Sequence, residues 1–291
     1  MAIIDEIRNE FKNLTTLSDI RNFLIDRSKR HKAYYHYTNV DALEGMLKSK
    51  TLYLSNVSRM NDLLEPLNIP TKKWGNIYIA SFSFSSHESV ALWSLYGNPL
   101  NKAIRIQFTQ SSIQRAINNI NDKKQCSNID NSKTYKIKNI NLVDITYLNE
   151  KADSIRWNRA LLSYIKCPEI KNISKHAEMA GFVKNIAWEY ETEVRIIVEL
   201  AAKHKNPPKQ IKIDATPLWK SAKILCGPYL EKEKFINDMN SFYKNHPDAI
   251  TLDFKKHNTV DNSFLLNKLV LKTKCEHCDK KEKCDTYKNK S

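Results

Sequence analysis

Short strand-like runs alternate with amphipathic helical ones along this chain, with no linker or repeat between them, and that alternation most constrains its fold. "AYYHYT", "TLYLS", "NIYIASFSFS", "KAIRIQF", "TYKIKNINLVDITYL", "TEVRIIVEL" and "AKILCGPYL" read as strands, because apolar residues recur at every second position or run unbroken. Between them, "VDALEGMLKSK" puts Val40, Leu43, Met46 and Leu47 on one helical face. "SHESVALWSLYG" runs as a helix from a Ser/His/Glu start to Gly97, and "EKEKFINDMNSFYKNH" is helical as well. Strands with helices set between them predict an α+β fold. Two further helices are expected within residues 1–32, the first with Ile3, Ile4, Ile7 and Phe11 on one stripe. A polar loop is expected over 121–133, helix over most of 150–185, and a closing strand at "AITLDF". The expected organisation is a helical extension over 1–32, a main domain over 33–256 and a basic, cysteine-containing tail over 257–291.

Charge narrows the partners. Lys and Arg number 47 against 32 Asp and Glu, a formal net charge of +15. Such an excess marks either a solvated lysine-rich surface or a polyanionic partner, nucleic acid or an acidic protein. Only five glycines are present and none builds a phosphate-cradling loop, which excludes a Rossmann or P-loop nucleotide site. No run of eighteen apolar residues occurs and the N-terminus has no apolar signal core, so neither a membrane span nor secretion is expected. The six cysteines do not form a secreted disulfide framework and fit reduced thiols in a cytosol. Cys275, Cys278 and Cys284 cluster in the tail, where they could bind zinc; a tail of free thiols is the alternative.

Two glutamates stand out in "WEYETEVRII". If this segment is extended, Glu191, Glu193 and Arg195 point the same way. One reading is a solvated strand face paired with lysines across the sheet. The other is a functional carboxylate pair, coupled in titration so that one pKa rises.

The second reading gains from motifs in order: His36-Tyr37-Thr38, Asn61-Asp62 with Glu65, Ser81 and Ser83 with "LWSLYG", Lys184 before "WEYETEVR", then "LCGPYL". Over residues 34–230 these resemble the domain of unknown function 2971 family, and through H-x-T and the glutamate strand the ADP-ribosyltransferase superfamily. The resemblance implies a split β-sheet core with flanking helices, and NAD as substrate. It implies that Glu193 binds the ribose beside the scissile bond and stabilises its developing positive charge, while Glu191 takes the proton of the accepting group. His36, Thr38, Tyr53, Asn61, Ser81, Trp93 and Arg195 are the residues it places around NAD. Tyr53, Tyr78, Phe82 and Trp93 all remain open as the ring that stacks on nicotinamide, and Arg195 is expected to keep one carboxylate ionised. A cytoplasmic toxin or phage-defence effector is implied, modifying nucleic acid and held off by an antitoxin-type protein. NAD hydrolysis, or nucleic-acid binding without catalysis, are the alternatives.

Overall fold

A computed structural model describes residues 12–60, 76–149, 154–155, 167, 173, 176–202, 207–253 and 260–265. It is a mixed helix and sheet structure. Helix α1 (Leu17–Ser28) starts at a capping box in which Thr16 and Asp19 satisfy each other's backbone N–H groups. Its Ile20 and Leu24 are fully buried, and the Ser28 hydroxyl donates to the Leu142 carbonyl at 2.9 Å. The other helix expected near the N-terminus lies outside the described residues.

Strand β1 (Ala33–Asn39) leads into helix α2 (Val40–Ser49), capped by Asn39, and then strand β2 (Thr51–Asn56). As the spacing predicts, Val40, Leu43, Met46 and Leu47 are the buried face of α2. Strand β3 (Ile77–Ser83) precedes helix α3 (Val90–Tyr96), which begins later than expected because Ser89 is its cap. Strand β4 (Ala103–Thr109) follows, then helix α4 (Gln110–Lys123). The polar loop expected at 121–133 is overturned: α4 occupies its start and strand β5 (Gln125–Asn128) its middle. Strands β6 (Thr134–Asp144), β7 (Thr146–Asn149), β8 (Ser154–Ile155), β9 (Val183–Asn185) and β10 (Glu193–Leu200) complete the central part. Helix was expected through 185, yet Ala177–Met179 is a single 3-10 turn and 183–185 is strand, paired parallel to β7. Strand β11 (Gln210–Asp214), helix α5 (Thr216–Trp219), strand β12 (Lys223–Cys226), helix α6 (Lys232–Asn245) and strand β13 (Val260–Asn262) end the described chain. "AITLDF" is not a strand over its described residues; β13, parallel to β12, closes the sheet instead.

The main sheet runs β10-β6-β5-β11-β2-β3-β1-β4-β12-β13, and β10 also pairs with β3. Six strands from β10 round to β3 therefore close a ring, and β1, β4, β12 and β13 extend from it as a wing. The sheet forks at β3. One edge of β3 pairs with β10 along its whole length, from Glu193↔Ser83 to Glu199↔Ile77. The other edge is shared: β2 takes Ile79 and Tyr78, while β1 takes Ser83. Between those contacts the ladder is interrupted, and a hollow opens there. Tyr35, Tyr37, Leu92, Trp93 and Ala103 form a buried cluster that seats α3 against the wing and reaches the hollow. Gly227 is required where the end of β12 meets the start of β4, since a Cβ there would lie 2.8 Å from the Ala103 carbonyl oxygen that its own N–H binds.

Candidate active site

The hollow at the fork has a volume of ≈ 120 Å³ and is lined by Tyr35, His36, Tyr37, Ser81, Phe82, Ser83, Leu92, Tyr96, Glu191 and Glu193. Segments far apart in sequence thus form its walls. His36 stands where the ladder is interrupted. Its Nδ1 lies 2.9 Å from the Ser81 carbonyl, which can only accept, so Nδ1 carries the proton. Burial pushes the imidazole pKa down, opposed by that bond, and favours the neutral ring. Nε2 is then left as an acceptor.

The glutamates reach the hollow by different routes. Glu193 opens β10, but Glu191 ends a 3-10 helix at Ile186–Glu191, and Thr192 between them is left-handed at φ 45°. The expectation of one continuous strand is corrected here. The bend stores strain, since a β-branched residue at positive φ is disfavoured. Surrounding bonds hold it: Thr192 Oγ1 meets Ser83 Oγ at 2.7 Å, and the Thr192 carbonyl accepts from Phe84 N–H at 3.0 Å. The turn rotates Glu191 back beside Glu193.

Two cations hold the pair. Lys184 Nζ donates to Glu191 Oε2 at 2.5 Å and to Glu193 Oε2 at 3.1 Å. Arg195 grips Glu193 with Nε to Oε1 at 2.7 Å and Nη2 to Oε2 at 3.0 Å, while its Nη1 donates to the Gly181 carbonyl at 3.0 Å. Lys184, Glu191, Glu193 and Arg195 are 4, 4, 2 and 0% exposed, so two positive and two negative charges balance in a dry setting. At Glu191 burial outweighs the pull of Lys184, and the neighbouring carboxylate adds to it, so its pKa is raised. At Glu193 burial also pushes upward, but the charges of Arg195 and Lys184 overcome it and hold the group below the ordinary carboxylate range. The Ser81 hydroxyl hydrogen-bonds Glu193 as well. Tyr96 donates its hydroxyl to Glu191 Oε1 at 2.8 Å.

Of the residues expected around NAD, His36 and Ser81 line the hollow with both glutamates. Arg195 lies behind Glu193 and does not. Thr38 is buried and does not line it either. Tyr53 turns its hydroxyl onto helix α2, 3.5 Å from the Gly45 carbonyl. Trp93 is buried, edge-on to Tyr37, with Nε1 donating to Glu88 at 3.1 Å. Phe82, Tyr35, Tyr37 and Tyr96 supply the aromatic lining instead. Asn61, Cys275, Cys278 and Cys284 lie outside the described residues; among the described residues no cluster of His, Cys, Asp or Glu could hold a metal. Lys184 is the residue that sequence reasoning left without a role. Its signal was a lysine between Val183 and the Trp188 ring, over which its Nζ sits at 4.6 Å.

Residues 92–196 match DUF2971, a family of proteins of unknown function. The DUF2971 match takes in Tyr96, Lys184, Glu191, Glu193 and Arg195, and starts downstream of His36 and Ser81. No curated protein matches the chain with significance. Among solved structures, "Thermus sp. 2.9 DarT in complex with NAD+" matches at 10% identity and a TM-score of 0.35, over 80% of this chain and 96% of that one. No helix among the described residues is long and apolar enough to cross a membrane.

Proposed function

We propose that this protein is an ADP-ribosyltransferase that breaks the bond between nicotinamide and ribose in NAD and passes ADP-ribose to a nucleic acid. One observation carries the reading: His36, Glu191 and Glu193 converge on one aromatic-lined hollow. Its ≈ 120 Å³ is below the ~300–1,000 Å³ that encloses a drug-sized ligand, and suits one ring, the remainder lying outside.

Each residue has work matched to its state. Glu193, kept ionised by Arg195 and Lys184, faces the positive charge that develops on the ribose as nicotinamide departs with the bonding pair. Its orientation is set before substrate arrives, so no reorganisation is needed in the transition state. Glu191, with its raised pKa, accepts the proton of the attacking hydroxyl or amino group. Tyr96 and Lys184 aim that carboxylate. The neutral His36 offers Nε2 to a ribose hydroxyl. The net charge of +15 favours a phosphate-bearing acceptor over a protein. A transferase of this kind damages its own cell, which supports a toxin or phage-defence role with a neutralising protein partner.

Incubation with labelled NAD and separate pools of RNA, DNA and protein tests the reading. Label is expected on nucleic acid and lost with Glu193→Gln in protein that still melts cooperatively. Undiminished labelling by that variant would refute the assignment. Nicotinamide release that ignores added nucleic acid would point to water as acceptor.

A further inference from the structure

The wing carries a second hollow, of ≈ 400 Å³, lined by Arg105, Gln107, Lys223, Ile224, Leu225 and Asp261. Register explains why these side chains meet. Tyr37 lies opposite Arg105 and Tyr35 opposite Gln107 across β1 and β4; Lys223 lies opposite Gln107 and Leu225 opposite Arg105 across β4 and β12. Residues in such register share one face of the sheet.

Arg105 is 9% exposed. Its Cζ lies 4.6 Å from the centre of the Tyr35 ring and 5.7 Å from that of Tyr37. Nη1 donates to the Ser86 carbonyl at 3.1 Å and to the Tyr37 hydroxyl at 3.4 Å. Among the described residues no acceptor meets Nε or Nη2, and no carboxylate pairs with the guanidinium. Arg105 lines the hollow, with Lys223 and Gln107 beside it. A guanidinium held in place by two rings and a carbonyl, and facing no carboxylate among the described residues, keeps its remaining N–H groups for an anion.

We propose that this hollow is an anion seat for a phosphate group of the nucleotide substrate, gripped by the unpaired edge of Arg105 and flanked by Lys223 and Gln107. A planar fork of donors fits two phosphate oxygens at once, which a lysine cannot reproduce. Asp261 offsets one of the two cations, leaving a single net positive charge, matched to one phosphodiester rather than to a long polyanion. Tyr35 and Tyr37 line the catalytic hollow and also lie under Arg105. The two rings thus lie against both the seat and the catalytic hollow. The phosphate belongs either to the dinucleotide or to the nucleic-acid acceptor, and both present the same tetrahedral anion. For the identity of its substrate the seat rests on the transferase reading; for its anion binding it does not.

The test pairs two measurements on the full chain: anisotropy of a labelled single-stranded oligonucleotide, and the KM for NAD in nicotinamide release. Arg105→Met is expected to raise one or both constants about tenfold or more, as loss of a charge-assisted contact does. Arg105→Lys should recover only part. Lys223→Glu, at an exposed position, should raise the same constant several-fold, and decides alone if Arg105→Met does not fold. Lys136→Glu, exposed on β6, is the charge control and should change it less than twofold. A rise in the oligonucleotide constant assigns the acceptor phosphate, and a rise in KM assigns the dinucleotide. Neither constant moving, or Lys136→Glu moving it as far as Lys223→Glu, overturns the seat. Arg105-dependent oligonucleotide binding without any nicotinamide release would keep the seat and sink the transferase reading; turnover with both constants unmoved would do the reverse.

Discussion

Two buried guanidinium groups sit on the same sheet and are handled in opposite ways. Arg195, in the ring, is fully enclosed and gripped by Glu193 and the Gly181 carbonyl. Arg105, on the wing, is nearly as enclosed but has two acceptors on one nitrogen and, among the described residues, no carboxylate. A cation matched within the protein positions its neighbours, because removing any member leaves an uncompensated charge in a dry place. A cation left unmatched is poised for something outside the chain. Substitutions in the two regions should therefore separate stability from binding.

The largest effect is expected at Lys184. Lys184→Met leaves Glu191 and Glu193 in contact with one cation removed, and should lower unfolding free energy by about 3–5 kcal/mol, read by chemical denaturation. A loss below ~1 kcal/mol would show that the cluster is more hydrated than its burial implies. Next, Glu193→Gln should reduce nicotinamide release by about 10²–10³-fold, as removal of a preorganised electrostatic group does. Single-turnover assays at saturating NAD would show whether the loss lies in the chemical step.

Glu191→Gln should act through pH. A base must be ionised to work, so activity should fall as pH drops through the folded pKa of Glu191, which burial has raised. The acid limb of kcat/KM should thus lie above the ordinary glutamate value of about 4.3, and Glu191→Gln should abolish that limb while lowering the rate. Glu193, held below the ordinary range, should contribute no inflection there. A limb that survives in Glu191→Gln would move the base elsewhere. The smallest effect belongs to the wing: Arg105→Met removes a cation without stranding a carboxylate, and should change stability by about 1 kcal/mol or less, the worth of its stacking on tyrosine. Destabilisation equal to that of Lys184→Met would erase the contrast between the regions.

Much of the wing and the start of the ring is legible in the sequence: α2 and β2 carry clean periodic patterns and bury the faces those patterns mark, while β1, β3 and β4 are largely apolar runs buried on both faces. Helix α4 has no counterpart in the sequence reading over 110–120, although Ile113, Ala116, Ile117 and Ile120 mark its buried face, and its last turn falls in the polar run that reads as a loop from 121. Strand β13 spans only "VDN" and is held by its neighbour β12 rather than by any pattern of its own. In the site, the glutamates are legible from their spacing in "WEYETEVRII" and from the motif order, but their geometry is not. A left-handed Thr192 is contrary to its own propensity, so only tertiary context shows the turn that brings Glu191 beside Glu193. Lys184 was visible as a letter and not as a role, since a lone lysine shows its function only once its burial and both carboxylates are seen together.

Where β1 leaves β3, a side chain rather than a strand satisfies the Ser81 carbonyl. The imidazole of His36 is thus the keystone of the gap it lines. A residue with no donor at that point would leave the carbonyl to water, or let β1 zip onto its neighbour and erase the hollow. If the transferase reading holds, architecture and recognition answer to the same proton, the one on Nδ1.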